Sequence, residues 1–253
     1  MPAILRYFLL ALQFLTRLPV PRGFRTTEGE LGKAAAFFPL IGVVVGTGTA
    51  GVFLLANRVL PISASLLVAI AFATFITNGF HEDGLADTFD GLGGGWSKEH
   101  ALEIMRDSRI GTYGTLALIF LILGKYTFLS ALEPSRTWRW LIVAHTAGRW
   151  TILPMCRWLP YVRAEGQGKL VAKQIGISAM MFGSLTLLLV VLLVEWRSAD
   201  IILAVTIVVT LVSGLYFKRR LEGITGDCLG AVNQIAELSL YLAASIISKF
   251  HST

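Results

Sequence analysis

The sequence predicts an all-α fold: a polytopic integral membrane helix bundle of seven to eight transmembrane or interfacial helices, in one domain over residues 1–253. Three observations carry that prediction. First, 55% of the residues are hydrophobic and only 15% are charged, whereas a water-soluble domain carries about 25% charged residues. Second, seven apolar stretches recur along the chain, each close to the roughly 20 residues that one helical crossing of a hydrocarbon core needs. Third, the positive charge is sorted by side. The side of the long connections holds Arg6, Arg17, Arg22, Arg25, Lys33, Lys98, Arg106, Arg109, Arg157, Arg163, Lys169, Lys173, Lys218, Arg219 and Arg220, whereas the short side holds Arg58, Arg136, Arg197 and Lys249. By the positive-inside rule the long connections face the cytoplasm.

This composition excludes a nucleic-acid reader, a secreted disulfide scaffold and a soluble enzyme on a single anchor, because no stretch is long and polar enough to fold as a soluble domain. Cys156 and Cys228 lie in different segments without metal-ligand spacing, so they read as packing residues.

In chain order, residues 4–20 are apolar but interrupted by Arg6 and Arg17, with no small-residue cleavage site after them. They read as an interfacial or first membrane helix rather than a signal peptide. The stronger stretches follow at 34–56, 62–80, 114–132, 138–156, 177–195, 200–217 and 229–250, with tight turns around Pro61, Pro134 and Ser198. Within the first of these, Gly42 and Gly46 in GVVVG have the small-residue spacing of helices in close contact.

The segment from Asn78 to Trp96, NGFHEDGLADTFDGLGGGW, carries the chemistry. Asp83, Asp87 and Asp90 are spaced four and three apart, which confines the carboxylates to an arc of about 60° on a helix. Like charges so close are unfavourable unless a cation lies among them, and Mg²⁺ held by a few carboxylates plus substrate phosphates resolves the conflict. Gly84 and Gly91 leave room for a ligand, and Gly93, Gly94 and Gly95 end the helix. His81 reads either as a general base or as an interfacial histidine.

An amphipathic helix is expected next, with Arg106 and Arg109 three apart on one face as phosphate ligands and Asp107 beside them. In AHTAGRW, His145 and Arg149 share a face of an apolar helix, where ionisable groups point into the protein. Substrate binding and helix-to-helix hydrogen bonding are both open for that pair. In GITGDCLGAVNQIAE, Asp227 is a candidate N-cap, and Asp227, Gln234 and Glu237 align along one face, so Asp227 and Glu237 are candidates for a second metal position. Lys125 stands alone in its crossing and reads as a snorkelling residue.

These segments together resemble the cobalamin synthase family, the adenosylcobinamide-GDP ribazoletransferases. The likeness runs nearly end to end: FLTRLPVP at 14–21, FFPLIG at 37–42, HEDGLADTFDGLGGG at 81–95, MRDSRIGTYG at 105–114, His145 with Arg149, and GITGDCLGA at 223–231. The resemblance implies a multi-pass enzyme of the bacterial inner membrane, dependent on Mg²⁺, in late cobalamin biosynthesis. Such enzymes join adenosylcobinamide-GDP to α-ribazole, or to its 5′-phosphate, and release GMP. Carried over, the family's acidic motif falls on Asp83, Asp87 and Asp90, its arginine segment on Arg106 and Arg109, and its C-terminal motif on Asp227.

On that expectation His81 or one of the aspartates takes the hydroxyl proton; Arg106, Arg109, His145, Arg149 and Asp227 bind substrate; and Asp83, Asp87, Asp90, Asp227 and Glu237 hold metal. The expected partners are the two small-molecule substrates and membrane lipid, with no nucleic acid; other corrinoid-pathway proteins and a second copy of the chain are compatible with it. Two rivals are a CDP-alcohol phosphotransferase, which uses a comparable aspartate array, and a corrinoid transporter, whose site would lie near the bilayer midplane between repeats.

Overall fold

The computed structural model describes residues 2–21, 29–163 and 175–251. Arg22, Arg25, Lys169 and Lys173, counted above on the cytoplasmic side, lie outside the described residues. The helices are α1 (Ala3–Leu15), α2 (Glu30–Ala34), α3 (Phe38–Ala56), α4 (Ile62–Ile76), α5 (Phe80–Gly94), α6 (Lys98–Ile104), α7 (Thr112–Ser130), α8 (Pro134–Trp158), α9 (Ile177–Val194), α10 (Ala199–Leu221) and α11 (Gly226–His251). Short 3-10 turns at Ala35–Phe37 and Trp196–Ser198 lead into α3 and α10.

Five of the described helices are long and apolar enough to cross a membrane, or six if α4 and α5 are taken as one broken span. Composition explains why α8 is absent from that set. It has 25 residues, about 37 Å at 1.5 Å per residue and ample for a crossing. Yet it carries Arg136, Arg139, His145, Arg149 and Arg157, which lower its hydropathy. Those groups are tolerated because α8 is the centre of the bundle: α3, α9, α10 and α11 all pack on it, and most of its residues from Trp140 to Cys156 are buried.

Helix α1 answers the question left open by its sequence. At 13 residues it spans about 20 Å, short of a hydrocarbon core about 30 Å thick. It docks instead, burying Leu10, Ala11, Leu12 and Leu15, and Arg6 pairs with Glu30 of α2 at 2.6 Å.

The glycines of α3 set the central packing. A Cβ on Gly42 would collide with the backbone oxygen of His145, and one on Gly46 would lie 2.7 Å from the Ile142 Cα. The α3 and α8 backbones therefore meet face to face, as small-residue spacing allows in lipid.

Asn78 and Gly79, both with positive φ, turn the chain by 86° between α4 and α5. Helix α5 therefore runs across the ends of α7 and α11 rather than continuing the crossing of α4, and we read it as lying outside the membrane-spanning segments. Gly84 and Gly91 are occupied differently from the expectation. A Cβ on Gly84 would lie 2.9 Å from the Asp227 oxygen, and a Cβ on Gly91 would lie 2.8 Å from the Ala101 oxygen. These positions are filled by neighbouring helices, so they serve packing and not ligand approach.

Candidate active site

A cleft of 640 Å³ opens where the N-terminal ends of α5 and α11 meet the segment after α1. Gln13, Thr16, Arg17, Thr77, Asn78, Asp83, Tyr161, Arg163 and Asp227 supply its polar lining. Three local features assemble it.

The first is the start of α11. Thr225 Oγ1 accepts from the Cys228 backbone N–H at 3.3 Å, so Thr225 performs the capping expected of Asp227 and leaves the Asp227 carboxylate to the cleft. The second is a short parallel pairing of residues 160–162 with Ile224. Val162 N–H donates to Ile224 O at 3.0 Å, and Ile224 N–H donates to Pro160 O at 2.9 Å. A Cβ at Gly223 would strike the Pro160 oxygen, so the approach requires glycine. The third is Arg163, delivered by that pairing: its Nη2 lies 2.7 Å from Asp227 Oδ2 and donates to Met105 O at 3.1 Å.

Asp83 and Asp227 line the cleft and Asp87 stands beside them. Burial, and then the carboxylates of Asp227 and Asp83, push the Asp87 carboxyl up to about 7, with Arg163 opposing the rise. One arginine therefore does not balance three carboxylates.

Asp90 does not join this group. Its Oδ2 accepts from Gly111 N–H at 2.7 Å and its Oδ1 from Gly114 N–H at 2.8 Å, so the carboxylate holds the N-terminus of α7. By helical spacing the three aspartates are equivalent; the neighbouring helix end, invisible to periodicity, separates them.

Glu237 also lies apart from Asp227. It is fully buried, with Lys125 Nζ at 2.8 Å, His145 Nδ1 at 2.8 Å and Arg149 Nη1 at 3.4 Å. Lys125 Nζ also donates to Gln234 Oε1, so Lys125 is not a snorkelling residue. His145 and Arg149 thus belong to an interior network across α7, α8 and α11 and do not line the cleft.

Neither does His81. It is 1% exposed and both ring nitrogens lack a partner. Arg106 and Arg109 are exposed and follow the end of α6, so the shared helical face expected for them does not form. Arg109 instead closes back on Asp107 at 2.6 Å, drawing the Asp107 carboxyl down to about 2.

Among the described residues no three His, Cys, Asp or Glu side chains gather into a group able to hold a metal ion by themselves. The donor chemistry fits a hard cation in another way. Asp83, Asp87 and Asp227 are mutually repelling oxygen donors, suited to an ion that completes its shell with substrate phosphates. The sequence reading missed Arg163 and Arg17 as site residues. Arg163 was visible as a charge on the long side, but nothing local tied it to Asp227.

A multi-pass helical membrane protein with an acidic, arginine-edged cleft at one end of the bundle is the class that fold and site define. The family model for cobalamin-5-phosphate synthase matches residues 7–245, and the chain belongs to that family. It is 38% identical over 250 residues to an adenosylcobinamide-GDP ribazoletransferase of Vibrio cholerae, covering 96% of this chain and 95% of the relative. It is 39% identical over 245 residues to the protein of the same name from Shewanella baltica, covering 95% and 94%. No solved structure matches.

Proposed function

We propose that the protein is an adenosylcobinamide-GDP ribazoletransferase that joins the activated corrinoid to α-ribazole, or to its 5′-phosphate, and releases GMP. The observation that carries the reading is the juxtaposition of Asp83, Asp227 and Arg163 in one cleft, with Asp87 beside them. The family membership supplies the substrates. A CDP-alcohol phosphotransferase and a transporter are not favoured.

The reaction is a phosphoryl transfer. A ribose hydroxyl oxygen of the acceptor, one left free in both α-ribazole and its 5′-phosphate, bonds to the cobinamide-linked phosphorus, the bridging bond to the guanylate breaks, and GMP leaves with the electron pair. Asp83, Asp87 and Asp227 would hold Mg²⁺, which when bound supplies charge neutralisation and Lewis acidity at the phosphates. Arg163 supplies a fixed guanidinium suited to two phosphate oxygens. The hydroxyl proton goes to one of the cleft carboxylates, since His81 is sealed away. The cleft would face the cytoplasm, where a large polar substrate has access, in a bacterial inner membrane.

The test is an assay of detergent-solubilised protein with adenosylcobinamide-GDP and α-ribazole, with and without Mg²⁺. The expected result is adenosylcobalamin and GMP in equal amounts, only with the cation. CMP release from a CDP-alcohol, or GMP release independent of α-ribazole, would refute the reading.

A further inference from the structure

The site described above gives no role to Arg17, although it lines the same cleft as Asp83 and Asp227. The residue is held from both ends. Its backbone N–H donates to Ile76 O at 2.8 Å, fixing the segment after α1 to the end of α4. Its Nε donates to Asn78 Oδ1 at 2.8 Å, and its Nη2 donates to the same oxygen. Asn78 is a neutral acceptor, so it orients the guanidinium without cancelling its charge.

That distinguishes Arg17 from Arg163, the other cation that lines the cleft. Arg163 in the same cleft is paired with Asp227, and Lys98 and Arg109 nearby in sequence to the site are paired with Glu222 and Asp107. Among the described residues no carboxylate stands within ion-pair distance of Arg17. Thr16 and Thr77, which flank it in the lining, spend their hydroxyls on Leu12 O and Ala73 O. The cleft thus combines a carboxylate group suited to a cation with one oriented, uncompensated guanidinium suited to an anion.

We propose that Arg17, oriented by Asn78, binds the phosphate monoester of a nucleoside monophosphate in this cleft. The inference rests on the transferase reading, in which two ligands carry that chemistry: departing GMP, and an acceptor arriving as α-ribazole 5′-phosphate. A planar fork fixed at one edge presents its remaining N–H groups in a set direction, which suits the three oxygens of a terminal phosphate.

The experiment measures dissociation constants on the purified full-length protein in detergent with Mg²⁺. One arm compares GMP with guanosine, and the other compares α-ribazole 5′-phosphate with α-ribazole. The proteins are wild type, Arg17→Ala, Arg17→Lys and Asn78→Asp. Asn78→Asp preserves size and tolerates the positive φ at this position, but it places a carboxylate on the guanidinium and cancels its charge.

The wild type is expected to favour the phosphorylated ligand by about tenfold or more on at least one arm. Arg17→Ala and Asn78→Asp lose that preference, and Arg17→Lys keeps part of it. The arm that responds identifies the ligand. An unchanged preference in Asn78→Asp, with a wild-type melting temperature, overturns the proposal even if Arg17→Ala does not fold; so does a wild type without preference on either arm. Product formation is followed in parallel. A wild type that makes no adenosylcobalamin sinks the transferase reading, whereas normal product formation with intact phosphate preference in Asn78→Asp sinks only the role of Arg17.

Discussion

Asp87 and Asp90 are three residues apart on one helix and do opposite things. Asp90 accepts two backbone N–H groups at the start of α7 and is nearly buried. Asp90→Ala leaves those donors without a partner, and the expected cost is about 1–3 kcal/mol, read as a lower melting temperature in detergent. Asp87→Asn removes repulsion instead, so activity should fall by about a hundredfold or more while the melting temperature stays level or rises. The Asp87 carboxyl, held up at about 7 against about 3.9 in an unfolded chain, also gives a pH signature. Between those two values the folded state binds the extra proton, so metal-free stability falls as pH rises from about 4 to 7 and then levels. Thermal unfolding across that range in EDTA should show this decline in wild type and a flatter curve in Asp87→Asn.

Between elements, the glycine contacts and the buried charges decide the packing. A methyl at Gly42 meets backbone on α8, whereas one at Gly51, on the same helix, meets nothing within 4 Å. Gly42→Ala should destabilise by about 1–3 kcal/mol through overpacking. Gly51→Ala should be neutral or raise the melting temperature slightly. Glu237 anchors Lys125, His145 and Arg149, so Glu237→Gln leaves two buried cations uncompensated, at about 3–5 kcal/mol. A Lys125→Met, Glu237→Gln double variant should recover part of that loss, and a melting-temperature cycle measures how much.

Over the whole molecule, the lengths of the apolar stretches made the helices legible because lipid imposes one length. GVVVG was legible as packing because helices in lipid meet at small residues. The site was legible only in part. Asp83, Asp87 and Asp227 stood out because carboxylates are rare in so apolar a chain, but their partners depend on helix ends meeting in space. Asp90 turned to α7, Glu237 to Lys125, and Arg163 arrived through a two-residue pairing with Ile224 that no pattern announces. The orientation is testable by labelling single cysteines in a background lacking Cys156 and Cys228. Arg58→Cys and Glu133→Cys should react with an impermeant maleimide in intact cells, and Glu99→Cys only after the membrane is opened.

The central helix raises a problem of timing. Helix α8 brings Arg149, with His145 beside it, into the bilayer, and the counter-ion there is Glu237 on α11, which follows α8 in the chain. During synthesis about 90 residues separate these groups from that partner, so α8 is expected to stay incompletely embedded until the hairpin of α10 and α11 emerges. A chain truncated after residue 225 should therefore leave α8 extractable by alkaline carbonate and be degraded, while α3 and α4 remain embedded. If pulse-labelled truncated chains resisted extraction at α8 as the full chain does, the late counter-ion would not be what secures the centre of the bundle.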